Sequence, residues 1–246
     1  MDGKTILITG AAKRVGAAIC RRLHAAGANL VIHYHQSAYA ARALQSELNA
    51  LRPDSAILIQ ADLRDCANFP SIIHTTINHY GRLDALVNNA SSFFATPIGS
   101  INEDSWLDLM GTNLKAPLFL AQAAAQELRR QHGCIVNISD IHAERPMKNY
   151  VVYSIAKAGL DGLTKSLARE LGPEIRVNAV APGPILWPED ANKMDEVSRQ
   201  RIISHTILKQ AGNPDDIALA VHYLITNAPY VTGQVINVDG GRSVKL

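Results

Sequence analysis

Two side chains four residues apart, Tyr153 and Lys157, have types and a spacing that suggest chemistry. On a helix, positions i and i+4 share a face. An ammonium beside a phenol favours the phenolate and lowers the phenol pKa. A phenol tuned toward neutrality can give or take a proton. Asp140 stands thirteen residues before the tyrosine, just after the apolar stretch 134–138. If that stretch is a strand, Asp140 sits at its carboxyl end, where open α/β sheets place their ligands. A Tyr-x-x-x-Lys pair on its own is most often an ordinary surface pair on a helix, so the rest of the chain decides.

A second constellation lies near the amino terminus, Thr9-Gly10-Ala11-Ala12-Lys13-Arg14-Val15-Gly16. It joins a strand-like segment to a helical one. Gly10 permits a tight turn, and Gly16 permits close approach of backbone to ligand. A helix beginning at Val15 would offer free N–H groups and a partial positive charge to a pyrophosphate. The spacing departs from Gly-x-Gly-x-x-Gly, so a turn that merely needs glycine remains the competing reading.

Cofactor choice is written at the end of the second strand, His33-Tyr34-His35-Gln36-Ser37. A chain that binds NAD usually carries an acid there for the ribose hydroxyls. None is present, and Arg14, His35 and Ser37 can surround a phosphate with donors. The expectation is NADP (NADPH) rather than NAD. His33-x-His35 together with Cys20 and His24 offers metal-ligating residue types, but no further ligand set is near in sequence, and no metal is expected. Asp62, followed by Leu63, closes the third strand, where a carboxylate can accept from an adenine amino group. Asn88-Asn89-Ala90 closes the fourth, where small and amide side chains permit backbone contact with a cofactor.

The elements that must position these groups follow from periodicity. Strands are expected at 5–9, 30–33, 56–60, 83–87, 135–138, 176–180 and 234–238. Helices are expected at 15–26, 38–51, 71–80, 106–130 with Pro117 as a kink, 151–171 and 215–226. Strands and helices alternate without a biased linker. That pattern predicts an α/β fold: a doubly wound, Rossmann-type parallel sheet of seven strands with helices on both faces, in a single domain covering 1–246. Residues 184–212 lack a strand signal and are expected to form a mobile substrate-binding loop region with its own short helix; the 186–209 part contains Trp187.

Composition excludes several classes. The chain has 24 basic and 22 acidic residues, so neither nucleic acid nor an anionic membrane is indicated as a partner. Hydrophobic residues make up 47%, enough for a sizeable core. Cys20, Cys66 and Cys134 are widely spaced and odd in number, which suggests a reducing compartment. With no signal-peptide layout and no apolar span of about twenty residues, a cytoplasmic protein is expected.

The ordered set Thr9-Gly10-x-x-x-Arg14-x-Gly16, Asn88-Asn89-Ala90, Asn113, Tyr153-x-x-x-Lys157 and Pro182-Gly183 resembles the short-chain dehydrogenase/reductase family over essentially the whole chain. The resemblance implies that Tyr153 is the catalytic acid/base and that Lys157 lowers its pKa and binds the nicotinamide ribose. It implies that Asn113 holds a water in a proton relay and that Pro182 and Gly183 touch the nicotinamide end. Family members carry serine where this chain has Asp140. An ionised carboxylate cannot donate to a ketone oxygen and would repel a developing alkoxide, so either the acid is protonated or the substrate is not a simple ketone. Asp140, the Gly10–Gly16 turn, His33-Tyr34-His35-x-Ser37 and Asn89-Ala90-Ser91-Ser92-Phe93 are similar to the pteridine reductases of that family. That likeness implies NADPH-dependent reduction of a pterin or folate substrate. Phe93 would stack on the heterocycle, Ser91 would bond substrate or cofactor, and Asp140 with Tyr153 would supply the proton. Gln36 and Ile185 depart from the pattern. A carbonyl reductase, such as a 3-oxoacyl-(acyl-carrier-protein) reductase, is the alternative, and a non-enzymatic NADP-sensing protein is a third. The resemblance also implies a homotetramer, packed through the helix bearing Tyr153 and its neighbour.

Overall fold

A computed structural model describes residues 1–185 and 195–244. Seven strands form one sheet: β1 (Thr5–Ile8), β2 (Asn29–Tyr34), β3 (Ala56–Gln60), β4 (Ala85–Asn88), β5 (Cys134–Ile138), β6 (Arg176–Pro182) and β7 (Val235–Val238). The order is β3-β2-β1-β4-β5-β6-β7, and every pairing is parallel. Parallel strands need helical crossovers, and these cover both faces of the sheet. The helices are α1 (Arg14–Ala25), α2 (Ala38–Leu51), α3 (Phe69–Tyr80), α4 (Glu103–Met110), α5 (Ala116–Arg130), α6 (Val151–Leu171), α7 (Glu196–Ser204) and α8 (Pro214–Thr226).

The strand alternation sorts the core into two layers. Ile6, Ile8, Leu30, Ile32, Val87 and Val136 face α1, α2 and α8 in one cluster. Leu7, Val31, Leu86, Ile135 and Val177 face α3 and α5 in the other. Side chains on a strand alternate between faces, so a run such as Ile6-Leu7-Ile8 serves both layers at once. That is why the strands read as continuous apolar runs rather than as alternating patterns.

The sheet is wound in two directions from β1, which lies between β2 and β4. At such a switch point the loops at the carboxyl ends diverge and leave a crevice. The carboxyl ends of β1 to β6 and the loops after them, with the turn at Gly111–Lys115 and the first turns of α6, carry the residues singled out by sequence.

Residues 106–130 do not form one helix kinked at Pro117. The helix breaks earlier, at a wide π turn over Gly111–Lys115, closed by an Ala116 N–H to Gly111 O bond. Pro117 falls at the second position of α5, directly after the π turn. The expected short helix within 184–212 is α7, capped by Asp195 through Ser198 N–H at 2.7 Å. Trp187 and the rest of 186–194 lie outside the described residues.

Candidate active site

The carboxyl ends of β1 to β6 and the α1 amino terminus enclose a cavity of about 710 Å³. Gly10, Arg14, Val15, Gly16, His33, Tyr34, His35, Ser37, Asp62, Leu63, Asn89, Ala90, Ser91, Asp140, Tyr153, Lys157, Pro182 and Gly183 all line it. Four strand spacings separate β2 from β6, roughly 19 Å of crevice. Arg14, His35 and Ser37 stand toward the β2 side, and Tyr153, Lys157 and Gly183 toward β6.

The reacting groups come from β5 and α6. Tyr153 Oη donates to Asp140 Oδ2 at 2.7 Å. The other oxygen of Asp140 accepts the His142 N–H at 2.8 Å and caps the short turn Ile141–Ala143. Both carboxylate oxygens are thereby oriented. Lys157, 2% exposed, donates to Ile138 O at 2.8 Å, and its ammonium lies 5.8 Å from the Tyr153 ring centre. Burial drives the Lys157 pKa down to about 8, against the pull of the Asp140 and Asp161 carboxylates.

The expectation that Lys157 lowers the Tyr153 pKa does not describe this geometry. Burial, then the charge of Asp140 and its hydrogen bond, hold the phenol well above its ordinary value, while Ser91 acts in the opposite sense. Helical spacing reveals only the lysine neighbour, whereas Asp140 reaches the phenol from the end of β5. A carboxylate at hydrogen-bond distance outweighs an ammonium turned to a backbone carbonyl.

Asn113 sits in the π turn and is buried. Its side-chain amide donates to Leu109 O at 2.9 Å and to Ser92 O at 3.0 Å, and its oxygen accepts from Ser91 Oγ at 2.6 Å. These bonds tie the turn to the loop after β4. That loop is held a second time by Thr96, whose N–H donates to Asn149 O at 2.6 Å. Phe93 is thereby set against α6. Its ring stacks on Tyr150 with centroids 4.8 Å apart and meets Tyr153 edge-on at 4.9 Å. Phe93 itself remains 40% exposed and is not among the residues that line the cavity, which it approaches only through its edge contact with Tyr153.

Several residues named for cofactor contact turn out to shape the turn. The His33 ring, 2% exposed, accepts the Gly10 N–H at Nδ1 (3.2 Å) and donates from Nε2 to Ala61 O (3.1 Å). Its pKa is pushed down to about 4, chiefly by burial. Asn89 donates to Thr9 O at 2.9 Å and Gly10 O at 3.0 Å. Thr9 Oγ1 receives the Asn89 and Ala90 N–H groups. Gly10, at φ +59°, has no room for a side chain: a Cβ would lie 2.7 Å from Ala90 Cα. At Gly16 a Cβ would meet Gly10 O at 2.6 Å and Asn89 Nδ2 at 2.7 Å. The close approach at Gly16 is therefore of protein to protein.

Of the metal-like residues, Cys20 is in the core and His24 bonds Ser55 Oγ at 2.7 Å, so neither meets the His33-x-His35 pair. Two groups were missed by sequence. Arg64 grips Asp62 through three contacts of 2.7–3.1 Å and holds its carboxyl at about 2. It also reaches Asp108 at 3.5 Å, so the Asp62 carboxylate is part of an ion-pair cluster. Asp161 accepts from Ser139 Oγ at 2.5 Å, behind Lys157.

The site suits a dinucleotide. α1 begins at Lys13 without a side-chain cap and without an acidic first turn, which leaves first-turn amides to a ligand. Lys13, Arg14 and His35 line the cavity near them.

The family model described as enoyl-(acyl carrier protein) reductase matches residues 10–243. The chain is 37% identical over 279 residues to pteridine reductase 1 of Leishmania tarentolae, covering 97% of this chain and 96% of that protein. It is 36% identical over 241 residues to a 3-oxoacyl-[acyl-carrier-protein] reductase of Staphylococcus aureus, covering 97% of each. A 3-oxoacyl-[acyl-carrier-protein] reductase of Synechocystis is 32% identical over 245 residues, covering 98% of this chain and 97% of the relative.

Proposed function

The chain belongs to the short-chain dehydrogenase/reductase family and is an oxidoreductase, and within that family we propose that it reduces a dihydropterin- or dihydrofolate-type substrate with NADPH. The observation that carries this reading is the 2.7 Å bond from Tyr153 to Asp140. Both oxygens of that carboxylate act as acceptors. With both oxygens engaged as acceptors, the group is not set to donate to a ketone oxygen, as the family's serine hydroxyl is. A nitrogen heterocycle makes the opposite demand: it brings N–H donors and needs a proton on nitrogen.

When bound along the crevice lined by Arg14, His35, Lys157 and Gly183, NADPH would supply the hydride for the carbon of a ring C=N bond. Tyr153, kept protonated at neutral pH by burial and by Asp140, gives its proton to the nitrogen. Asp140 fixes the phenol rotamer and takes part in reloading it. The Lys157 ammonium, anchored on Ile138 O, would offer its remaining donors to the nicotinamide ribose. Asn113 and Ser91, bonded at 2.6 Å, anchor the loop that brings Phe93 beside Tyr153. There a flat substrate can stack. Arg14, His35 and Ser37 favour the 2′-phosphate of NADPH. A cytoplasmic homotetramer packed through α5 and α6 belongs to the same proposal, as does a single domain with 184–212 as its substrate loop.

The second reading, reduction of a 3-oxoacyl thioester, draws support from relatives nearly as similar as the pteridine reductase. Steady-state NADPH oxidation separates the two, with dihydrobiopterin, dihydromonapterin, dihydrofolate and acetoacetyl thioesters offered side by side. The proposal expects turnover of the pterin or folate substrates. Turnover of the thioester alone sinks it.

A further inference from the structure

Ser139 lies between the two residues whose oxygens hold the reacting groups. Ile138 O takes the Lys157 ammonium, and Asp140 Oδ2 takes the Tyr153 hydroxyl. Ser139 is 3% exposed, and its N–H donates to Val180 O at 2.8 Å. Its hydroxyl donates to Asp161 Oδ1 at 2.5 Å. Asp161 stands one helical turn beyond Lys157 on α6, on the same face. The proposed proton transfer does not use it.

We propose that Asp161 is a positioning residue: its bond to Ser139 clamps the end of β5 to α6, and its charge keeps the buried Lys157 side chain as the ammonium. The clamp acts on residues 138–140 as a unit, so Lys157 and Tyr153 stay in register with their acceptors. The charge acts because Lys157 has little solvent to hold its proton. Lys157 faces Asp140 from the end of β5 and Asp161 from its own helix, with the Tyr153 ring beside it. Asp161 in turn faces Glu144 from the turn after β5, and Lys157 and Lys165 from α6; burial first, then Glu144, pushes its carboxyl up, against the Ser139 bond and the two ammonium groups. With one carboxylate removed, the burial that already depresses Lys157 meets less opposition, and the ammonium is lost at lower pH.

This inference rests on Lys157 serving the nicotinamide ribose, and its test needs no substrate. The full chain is titrated with NADPH and with NADH, following nicotinamide fluorescence from pH 6 to 10. Wild-type affinity should fall as pH rises through the Lys157 pKa. Asp161→Asn keeps an acceptor for Ser139 but removes the charge. Its break should move down by about one pH unit, with affinity at pH 6 within about twofold of wild type. Asp161→Ser, a second neutral variant, should move the break the same way, and Asp161→Glu should restore it. Ser139→Ala keeps the charge, so its break should stay in place while affinity drops at every pH. An Asp161→Asn curve that breaks where wild type does, or is weakened equally at all pH values, overturns this proposal alone. Absence of binding by either dinucleotide overturns it together with the reading beneath it.

Discussion

Replacing Asp140 by serine perturbs the feature that separates the two substrate classes. Asp140→Ser removes the acceptor that Tyr153 Oη reaches at 2.7 Å and leaves the family's usual hydroxyl in its place. A hydrogen bond to a charged group contributes roughly 1.5–3 kcal/mol. If that bond orients the phenol for protonation of a ring nitrogen, its loss raises the barrier by about that amount. At about 1.36 kcal/mol per decade, kcat/KM for a dihydropterin should fall roughly 10- to 150-fold. The serine gains a donor for a ketone oxygen, so acetoacetyl thioester reduction should hold or rise. The assay is NADPH oxidation at saturating cofactor on both substrates, with NADPH affinity measured separately so that a cofactor defect is not mistaken for a chemical one. Retention of pterin turnover within threefold of wild type would refute the role given to the carboxylate.

Other outcomes follow from the geometry around the glycine turn. Gly10→Ala puts a Cβ 2.7 Å from Ala90 Cα at φ +59°, so both strain and overlap act; a loss of about 2–4 kcal/mol and a melting point lower by roughly 4–16 °C are expected by calorimetry. His33 has a folded pKa of about 4 against an ordinary 6.5, so the unfolded chain binds more protons between those values and stability falls with acid across that window. From pH 7 to 5 denaturant unfolding should lose up to about 2 kcal/mol from this group, and His33→Gln should flatten that slope. Arg14→Ala should weaken NADPH roughly 10- to 100-fold by fluorescence titration while changing NADH by less than about threefold; equal losses for both cofactors would place Arg14 away from the 2′-phosphate.

The seven parallel strands were legible because buried strands repeat one signal, an apolar run closed by glycine, proline or an amide. The bounds of α2, β3 and α6 match their sequence ranges because strong helix formers or β-branched residues fill each run and Pro53, Gln60 or Gly172 ends it. The π turn at Gly111–Lys115 was not legible. Its extra residue leaves the helical composition intact, and its cause is tertiary: Asn113 bonds Ser92 across the site. The candidate site was legible as a set of strand ends, since the alternation alone delivers them to one edge of the sheet. What each residue does there was less so. Asn89 and His33 carry suitable chemistry, but their polar atoms bond the Thr9–Gly10 backbone, which only a register between distant strands reveals. The grip of Arg64 on Asp62 and the Ser139–Asp161 bond likewise depend on side-chain placement that spacing does not determine. The direction of the Tyr153 shift depended on burial and on Asp140, thirteen residues away in sequence and 2.7 Å away in space.

The central claim is that the hydride reaches a carbon of a pterin ring. The most direct measurement uses NADPH carrying deuterium on the transferable position of the nicotinamide C4, incubated with dihydrobiopterin and the full chain, with the pterin product analysed by mass spectrometry. The account predicts a tetrahydropterin heavier by one mass unit, with the label on a ring carbon. A pterin that stays unlabelled while an acetoacetyl thioester takes the deuterium at its hydroxyl-bearing carbon would contradict it.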